Sequence, residues 1–448
     1  MTVLDRSRPP GPDQPRDLPF PPFEHRRALP GLDTFLAPLE DTALITLRLL
    51  TPGGAHHDPP GLLGLAGFTA GVLDQGTEES SAFEIASRTE GLGASLSISA
   101  GWDSLSVELE GLPKDLPALL ELLAELVLRP SFPEAEVERV RGRRLTEILR
   151  RRTLPGNLAS ERFAAEVYGA DRPYGHPRIG TEEAVSRIGR DDLVEHYHRF
   201  VRSPGATLVA AGRLDPEELF ERIGELFRDW PGGQAPTDPT ILPVPRDTLS
   251  TAVVDRPGAP QTELRVGHAG PPRNHPDRTA LVVLSSILGG KFTSRLNLEL
   301  RERRGLTYGI RSRFAGRRGP GPFVVSTSLA TAGVGTAAET VLRELRTLQE
   351  EPVSEEELQD TKRYLIGVFP YTLQAADDVA RCLARIATYG LPDDHYDTYR
   401  ERIEGITRDD VQRAARRHLH PDRAVIVAVG PEEPLDEELR GISAPVPP

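Results

Sequence analysis

Cysteine and lysine are almost absent from this chain of 448 residues. The single cysteine, Cys382, excludes an intrachain disulfide and any zinc cluster built on cysteines. It lies in an amphipathic helical pattern, which predicts a small, buried side chain. Lysine occurs only as Lys114, Lys291 and Lys362, and the formal net charge is −13. A broad nucleic-acid surface is therefore excluded, because phosphate binding needs clustered positive charge.

Long apolar runs are also missing, and the sequence predicts no secretory leader. No stretch approaches the roughly 18 uninterrupted apolar residues that a membrane-spanning helix needs. The segment Met1–His25 is rich in proline and has no apolar core of the signal-peptide kind. With 38% hydrophobic and 27% charged residues, the composition is that of a globular protein. We therefore expect a cytoplasmic chain that binds neither membranes nor nucleic acid.

The sequence contains an internal repeat. The segment Arg190–Gly212 matches Arg408–Gly430 without a gap, and each predicts an amphipathic helix, a turn and a short apolar strand. Predicted helices that follow Pro133 and Ser354 support the same pairing. The two offsets, 218 (408 − 190) and 221 (354 − 133) residues, agree closely. We infer two homologous halves of about 220 residues each.

Strand and helix patterns are interspersed within each half. Alternation over Ser104–Glu110 predicts a half-buried strand, and Phe323–Ser328 is its counterpart in the second half. Helical spacing is clear over Glu134–Arg152 and Ala337–Leu348. These patterns predict an α+β fold in which each half is a mainly antiparallel sheet covered by helices. The predicted divisions are a flexible extension 1–23, a first domain 24–230, a Pro/Gly linker 231–246, a second domain 247–435 and a tail 436–448.

The histidine clusters are predicted to be structural. His196 and His198 point to opposite sides of a helix, so they cannot share one ion, and a solvated helix surface is predicted. His56 and His57 lie in a turn between prolines and are predicted to be exposed. His418 lies near a helix end, where positive charge suits the helix dipole. We therefore predict no metal ligand in this chain.

One segment of the second half has a more specific pattern. Ser294–Arg304 predicts a helix, Gly305 is its predicted C-terminal cap, and a strand follows. Arg301 then lies in the last helical turn and Tyr308 in the strand. The two side chains can converge on one cleft, where a guanidinium and a phenol would bind peptide carbonyl groups. Composition alone favours the alternative that Arg301 belongs to a solvated Arg-Glu-Arg-Arg surface.

This segment resembles the C-terminal half of the insulinase and mitochondrial-processing-peptidase family, zinc peptidases with the inverted motif His-x-x-Glu-His. Ser294–Tyr308 matches the family signature Ser-Arg-Leu…Leu-Arg-Glu…Arg-Gly-Leu-x-Tyr nearly throughout. The resemblance extends over most of the chain and includes the two-fold repeat. Further matches are Gly64–Ala66, Gly76-Thr77, Glu147-Ile148, Pro173–Gly175 with Gly180, and Pro260-Gln261.

The zinc motif of that family is lost here. Gly67 and Gly71 stand at the positions of the two histidine ligands, and Ala70 stands at the position of the general-base glutamate. A catalytic zinc ion needs three protein ligands and a base. Only Glu147, near the third-ligand position, remains, and we predict that it is an ordinary helical glutamate. We therefore expect no peptide hydrolysis by this chain alone.

Members of that family without zinc are known as partner subunits. By this resemblance, Arg301 and Tyr308 are the substrate-binding residues. We expect a non-catalytic subunit of a heterodimeric zinc endopeptidase that acts on unfolded peptides, with zinc held by a paralogous partner. Two alternatives stay open, a structural scaffold similar to the core subunits of the respiratory ubiquinol–cytochrome c reductase and a peptide-binding homodimer without chemistry. The intact Arg/Tyr signature favours the first interpretation.

Overall fold

The computed structural model describes residues 19–442, and the first half of the chain forms six strands and eight α-helices in this range. The strands are β1 (Glu24–Leu29), β2 (Leu32–Pro38), β3 (Ile45–Thr51), β4 (Ser95–Ala100), β5 (Leu105–Gly111) and β6 (Ala206–Gly212). The helices are α1 (Leu65–Val72), α2 (Ala82–Gly91), α3 (Leu116–Leu128), α4 (Glu134–Arg152), α5 (Pro155–Tyr168), α6 (Glu182–Arg187), α7 (Arg190–His196) and α8 (Pro216–Leu226).

The second half has the same kinds of elements. Its strands are β7 (Ser250–Asp255), β8 (Thr262–Ala269), β9 (Thr307–Phe314), β10 (Pro322–Leu329) and β11 (Val425–Gly430). Its helices are α9 (Arg278–Ser285), α10 (Val334–Glu350), α11 (Glu355–Val368), α12 (Ala376–Tyr389), α13 (Tyr399–Glu404), α14 (Arg408–His418) and α15 (Glu432–Leu439). Three segments are π-helical: Tyr197–Val201, Ser286–Gly290 and Asn297–Arg303.

The two sheets share one topology, which confirms the internal repeat. The strand order is β1-β2-β6-β3-β5-β4 in the first sheet and β7-β11-β8-β10-β9 in the second. Apart from β1, each strand of the first sheet has a counterpart at the same position in the second. Among the described strands, the pairs β2–β6 and β7–β11 are parallel and the other pairs are antiparallel. The predicted α+β fold with two mainly antiparallel sheets is therefore confirmed.

Each sheet is covered on one face by helices of its own half and on the other by a helix of the opposite half. Helix α12 of the second half packs Val379 and Cys382 against the first sheet, where Phe35 belongs to the same cluster. The cysteine is buried, as predicted. Helix α5 of the first half packs Phe163 against the second sheet beside Val427. Because both of its faces are covered, β11 is buried at every residue.

A half-buried arginine also joins the two halves. The guanidinium of Arg317 lies 4.7 Å from the ring centroid of Trp102 and 4.4 Å from that of Tyr174. The Tyr174 hydroxyl donates a hydrogen bond to the carboxylate of Asp103, which also accepts the backbone N–H of Arg318 at 3.2 Å. A guanidinium is attracted by aromatic faces most strongly where water is excluded. These contacts fix the two halves against each other.

The predicted extension and linker both pack on the protein where the structure describes them. Residues 1–18 of the extension lie outside the described residues. Phe20 is buried, and its ring stacks on Tyr396 with centroids 5.1 Å apart, so the prediction of flexibility does not hold there. The segment 231–246 contains neither helix nor strand, although Ile241 within it is buried.

The last helix crosses the predicted end of the second domain. Residues from 443 onward in the predicted tail 436–448 lie outside the described residues. Leu435 and Leu439 lie one turn apart on α15, and both are buried in the second core. Helix α15, which packs on this core, therefore continues across the predicted boundary at residue 435.

Across residues 19–442, no helix is both long and apolar enough to cross a bilayer.

Candidate functional site

The segment that corresponds to the family's zinc motif forms helix α1. Gly67, Ala70 and Gly71 all lie in this helix, and none has a side-chain atom that can bind a metal ion. Gly64 precedes the helix with φ of +96°, and a Cβ there would lie 2.6 Å from the carbonyl oxygen of Ile179. Only glycine fits this approach. The backbone conformation at the start of the helix is thus retained, although the zinc-binding residues are lost.

An arginine from α4 occupies the space beside the lost motif. The Nη2 atom of Arg144 lies 3.0 Å from the point where a Cβ on Gly67 would lie. The same atom donates hydrogen bonds to the carbonyl oxygens of Gly64 at 3.2 Å and Ile179 at 2.6 Å. Burial lowers the pKa of Arg144 to about 10, which leaves the guanidinium protonated at neutral pH. A fixed positive charge therefore lies against the position of the first zinc ligand.

A buried carboxylate lies at the start of the same helix. Asp58 accepts the backbone N–H groups of Gly64 at 2.7 Å and Ala66 at 2.8 Å. Burial raises the pKa of Asp58 to about 7, and the two N–H groups and Arg144 oppose this increase. Because backbone donors already use both of its oxygens, this carboxylate stabilises the N-terminus of α1.

The residues at this place do not fit a catalytic zinc ion. Glu147 accepts hydrogen bonds from Arg150, at 2.6 Å from Nε and 2.8 Å from Nη2, as an ordinary helical ion pair. It is the one carboxylate that remains at the family's ligand positions, and catalytic zinc sites use three protein ligands. The chain therefore has no hydrolytic centre of the family's kind.

Arg301 and Tyr308 lie on either side of a tight reversal. The helical segment around Arg301 is π-helical and ends before Gly305, which has φ of +63° as expected for a C-terminal cap. Strand β9 follows at once and presents Tyr308 with 92% of its surface exposed. The guanidinium carbon of Arg301 lies 4.0 Å from the ring centroid of Phe292, a cation–π contact. The predicted helix, cap and strand are confirmed, with π-helical rather than α-helical winding.

Asn297, which was absent from the predicted site residues, holds this reversal together. Its amide donates hydrogen bonds to the carbonyl oxygens of Ile310 at 2.9 Å and Lys291 at 3.2 Å. Its Oδ1 atom accepts the N–H of Ile310 at 3.2 Å. This two-way pairing fixes β9 against the helix. Spacing and charge give no signal for such a role, because the contact exists only once the chain has reversed.

Strand β9 is an edge of the second sheet. Strand β10 pairs with one side of it, and no other strand within residues 19–442 pairs with the opposite side. Side chains of the preceding helical segments occupy main-chain groups on that side: Asn297 pairs with Ile310, and Ser285 and Arg278 donate to the carbonyl oxygens of Ser312 and Phe314 at 2.9 Å each. Tyr308, Arg311 and Arg313 are exposed along this strand, so the edge is also positively charged.

Several histidine predictions are wrong. His56 and His196 are each only 2% exposed, and His57 is half-buried rather than exposed. His418 lies in the last turn of α14, as predicted, where it is buried with its Nε2 atom 2.7 Å from a carboxylate oxygen of Asp277. Residues that are distant in the chain pack over these side chains. Local sequence patterns cannot predict this burial.

Comparison with known proteins finds one family in both halves. The sequence model "Insulinase (Peptidase family M16)" matches residues 37–181, and "Peptidase M16 inactive domain" matches residues 187–365. The chain is 25% identical over 417 residues to an uncharacterized zinc protease of Streptomyces coelicolor, covering 91% of this chain and 89% of that protein. It is 24% identical over 378 residues to the non-peptidase homolog YmxG of Helicobacter pylori, covering 83% and 85%.

Solved structures have the same fold. A peptidase M16 inactive domain from Pseudomonas fluorescens has a TM-score of 0.84 at 26% identity, covering 91% of this chain and 98% of that one. A protease from Helicobacter pylori has a TM-score of 0.84 at 20% identity, covering 92% and 100%. The two sequence models match separate, consecutive segments and together extend over most of the chain. The chain therefore belongs to the insulinase family of peptidases, peptidase family M16.

Proposed function

We propose that this chain is the non-catalytic, substrate-binding subunit of a heterodimeric zinc endopeptidase that acts on unfolded peptides. A contrast between its halves carries the proposal. The first half has lost the zinc motif and holds Arg144 beside it, whereas the second half keeps Arg301 and an exposed Tyr308. The zinc ion then belongs to a paralogous partner chain with an intact His-x-x-Glu-His motif.

The exposure of Tyr308 supports a role in binding. With 92% of its surface exposed, the side chain adds little to stability, because hydrophobic stabilisation follows buried area. Phe292, on the other side of the reversal, is 62% exposed. The phenol hydroxyl can donate to, or accept from, the main chain of a peptide. Two large aromatic rings at one reversal form a surface that a peptide can cover.

The position of Arg301 supports the same role. Its guanidinium is held over the Phe292 ring, which limits the conformations it must lose when a ligand binds. Its Nε atom lies 3.6 Å from the carboxylate of Glu302, a long contact that leaves donors of the guanidinium fork for peptide carbonyl groups. Arginine suits this task because its five donors are fixed in one plane.

The exposed side chains of β9 can bind an extended peptide. Tyr308, Arg311 and Arg313 are all exposed along this strand. The phenol and the guanidinium groups can donate hydrogen bonds to main-chain carbonyl groups, which an unfolded segment leaves free and a folded domain pairs internally. Contacts with the main chain give affinity for many sequences, which suits an endopeptidase with broad peptide substrates.

Reconstitution tests this function. The purified chain is mixed with a paralogous chain that has the intact zinc motif, and hydrolysis of unfolded fluorogenic peptides is measured together with the mass of the complex. We expect a one-to-one complex with activity that neither chain has alone and that a zinc chelator removes.

Other outcomes of the same experiment would identify the alternatives. A mixture that neither associates nor hydrolyses any unfolded peptide would overturn the proposal. A stable homodimer that binds peptides without a partner would indicate a binding protein without chemistry. Association with a large complex that persists without Arg301 and Tyr308 would indicate a scaffold.

A further inference from the structure

A second group of potential ligand atoms lies away from the lost zinc motif. His56 and His57 belong to a single 3₁₀ turn, Ala55–His57, in the first half, and Asp238 belongs to the segment between the halves. One ligand atom from each of the three residues lies within 4.8 Å of the other two. Two imidazoles and a carboxylate form a donor set that suits Zn²⁺ and related ions.

We propose that His56, His57 and Asp238 bind a divalent transition-metal ion, with Zn²⁺ as the best chemical match. Such an ion would contradict the expectation that the chain provides no metal ligand. That expectation rested on the predicted exposure of the His56-His57 turn, which the structure shows to be covered. The site goes beyond the proposed peptidase role and does not depend on it.

His56 is oriented as a ligand. Its Nδ1 atom donates a hydrogen bond to the carbonyl oxygen of Trp102 at 2.5 Å, which leaves Nε2 as the atom that faces Asp238 at 2.9 Å. Metal-binding histidines in proteins commonly use one ring nitrogen for the ion and give the other to a backbone carbonyl. The carbonyl therefore fixes both the tautomer and the direction of the ring.

His57 and His196 supply buried nitrogens without hydrogen-bond partners. The Nε2 atom of His57 lies 3.4 Å from Asp238 and makes no hydrogen bond in the described part of the chain. His196 is 2% exposed, and both of its ring nitrogens are buried without a partner among the described residues. Both rings lie against Phe200, with centroids at 4.2 Å for His57 and 5.3 Å for His196. A buried polar nitrogen without a hydrogen-bond partner destabilises the folded protein. A bound ion would provide a partner for the Nε2 atom of His57, which faces Asp238.

Arg318 shares the same carboxylate. Its Nη1 atom donates to both oxygens of Asp238, at 3.0 Å from Oδ1 and 2.9 Å from Oδ2. An ionised carboxylate has about four acceptor positions, so Oδ2 can keep Arg318 while Oδ1 faces the imidazoles. The nearby guanidinium opposes a cation, and we therefore expect weaker binding than at a zinc site without a neighbouring positive charge.

The site has an entry path and connects distant parts of the chain. His56, His57 and His196 line a cavity of about 790 Å³. This volume leaves space for water in an open coordination position. The histidine turn, the linker carboxylate and Arg318 of the second half meet here, so a bound ion would hold both halves to the linker.

The test uses the tag-free, full-length chain and Co²⁺, whose tetrahedral complexes absorb visible light. We expect saturable binding of one Co²⁺ per chain and loss of the absorption when Zn²⁺ displaces it. His57→Gln and Asp238→Asn are each expected to weaken binding by more than about tenfold. Zn²⁺ is expected to raise the melting temperature of the wild-type chain but not that of Asp238→Asn.

Two variants serve as matched controls. His275→Gln alters the other histidine–carboxylate cluster, in which the His275 Nδ1 atom already accepts the backbone N–H of Asp277 at 3.1 Å. Glu147→Gln alters the remnant of the family's zinc site. Both are expected to bind Co²⁺ as the wild type does.

The proposal is overturned if the wild-type chain shows no saturable Co²⁺ binding, or if His57→Gln and Asp238→Asn bind as tightly as the wild type. Loss of binding in Glu147→Gln would place the ion at the family's position and would also overturn it. Circular dichroism checks that each variant folds. If one does not, X-ray absorption of the Co²⁺-bound His275→Gln chain decides: the other cluster then keeps one imidazole, so two imidazole ligands support the site and fewer overturn it.

Discussion

The Nη2 atom of Arg144 lies 3.0 Å from the point where a Cβ on Gly67 would begin. A protonated guanidinium thus lies against the residue that corresponds to the family's first zinc ligand. It is held there by the carbonyl oxygens of Gly64 and Ile179. The loss of the zinc motif is therefore accompanied by a different polar network, and the histidines alone would not rebuild the site.

Gly67→His is expected to lower the free energy of unfolding by about 1–3 kcal/mol, because the new Cβ would lie 3.0 Å from both Arg144 Nη2 and the carbonyl oxygen of Arg178. Adding Arg144→Ala should recover part of that loss, with a coupling of at least about 0.5 kcal/mol in the double-mutant cycle. Urea unfolding of the four chains provides the measurement. Additive effects of the two changes would show that Arg144 does not occupy the space beside Gly67.

Gly71→Ala is the matched control on the same helix. A Cβ there would meet Val140 Cγ1 at 3.5 Å, an ordinary contact, and alanine favours a helix over glycine. We expect the free energy of unfolding to rise by about 0.5–1 kcal/mol. A large loss of stability would mean that close packing along this helix, rather than the contact with Arg144, accounts for the effect of a side chain at Gly67.

Asn297→Ala is expected to destabilise the protein by about 1–3 kcal/mol, because it leaves buried main-chain groups of Ile310 unpaired. The change should also weaken peptide hydrolysis by the reconstituted pair, since β9 carries Tyr308. Leu298→Ala, at a neighbouring position that is 40% exposed, should alter stability by no more than about 0.5 kcal/mol. Equal effects of the two variants would contradict the role of Asn297.

Arg317→Gln is expected to lower the free energy of unfolding by about 2 kcal/mol, because the guanidinium is desolvated between aromatic rings of the other half. The fluorescence of Trp102 should change as well, and the chain has only one other tryptophan. Arg313→Gln, on the exposed side of β9, is the control. An unchanged unfolding curve and spectrum for Arg317→Gln would refute this account of the contact between the halves.

His268 is expected to make the protein less stable in acid. Its Nδ1 atom donates to the carbonyl oxygen of Ala269 at 2.9 Å, and its Nε2 atom accepts the N–H of His420 at 3.0 Å, so the folded state needs the neutral ring. Burial lowers the pKa of His268 from 6.5 to about 3. Between these values the unfolded chain binds the additional proton, and stability falls as the pH falls.

The slope of stability against pH measures this effect. One such proton corresponds to about 1.4 kcal/mol per pH unit in the middle of the window. His268→Gln keeps an acceptor for His420 and should flatten the slope between pH 6 and 4 by up to that amount. His198→Gln, at an exposed position, should leave the slope unchanged. An identical slope in His268→Gln and the wild type would exclude His268 as the source.

Local patterns were enough to predict the elements and the repeat. The alternation over Ser104–Glu110 corresponds to β5, and the spacing in Glu134–Arg152 corresponds to α4 with the same bounds. The match between Arg190–Gly212 and Arg408–Gly430 predicted the two halves, which the shared strand order confirms. Strand alternation and helical spacing depend on residues two to four positions apart, and a repeat appears as similar segments, so a sequence displays both directly.

Long-range contacts account for what could not be predicted. His56 is covered by Asp238, 182 residues away, and was therefore wrongly expected in solvent. Helix α12 packs on the sheet of the other half. The periodicity of α12 shows that one of its faces is buried, but not which sheet that face contacts. Arg144 is one of many arginines on α4, and only the fold brings it to Gly67.

The most direct test of the substrate-binding role compares kcat/KM for unfolded peptides in the reconstituted pair. Arg301→Ala and Tyr308→Phe are each expected to lower it by about tenfold or more, since each removes a hydrogen bond to substrate. The controls are Arg303→Ala, an exposed arginine paired with Glu299 in the same turn, and Tyr371→Phe, a tyrosine that is 70% exposed elsewhere. Both controls should match the wild type. Equal kcat/KM for all four variants and the wild type would contradict the account.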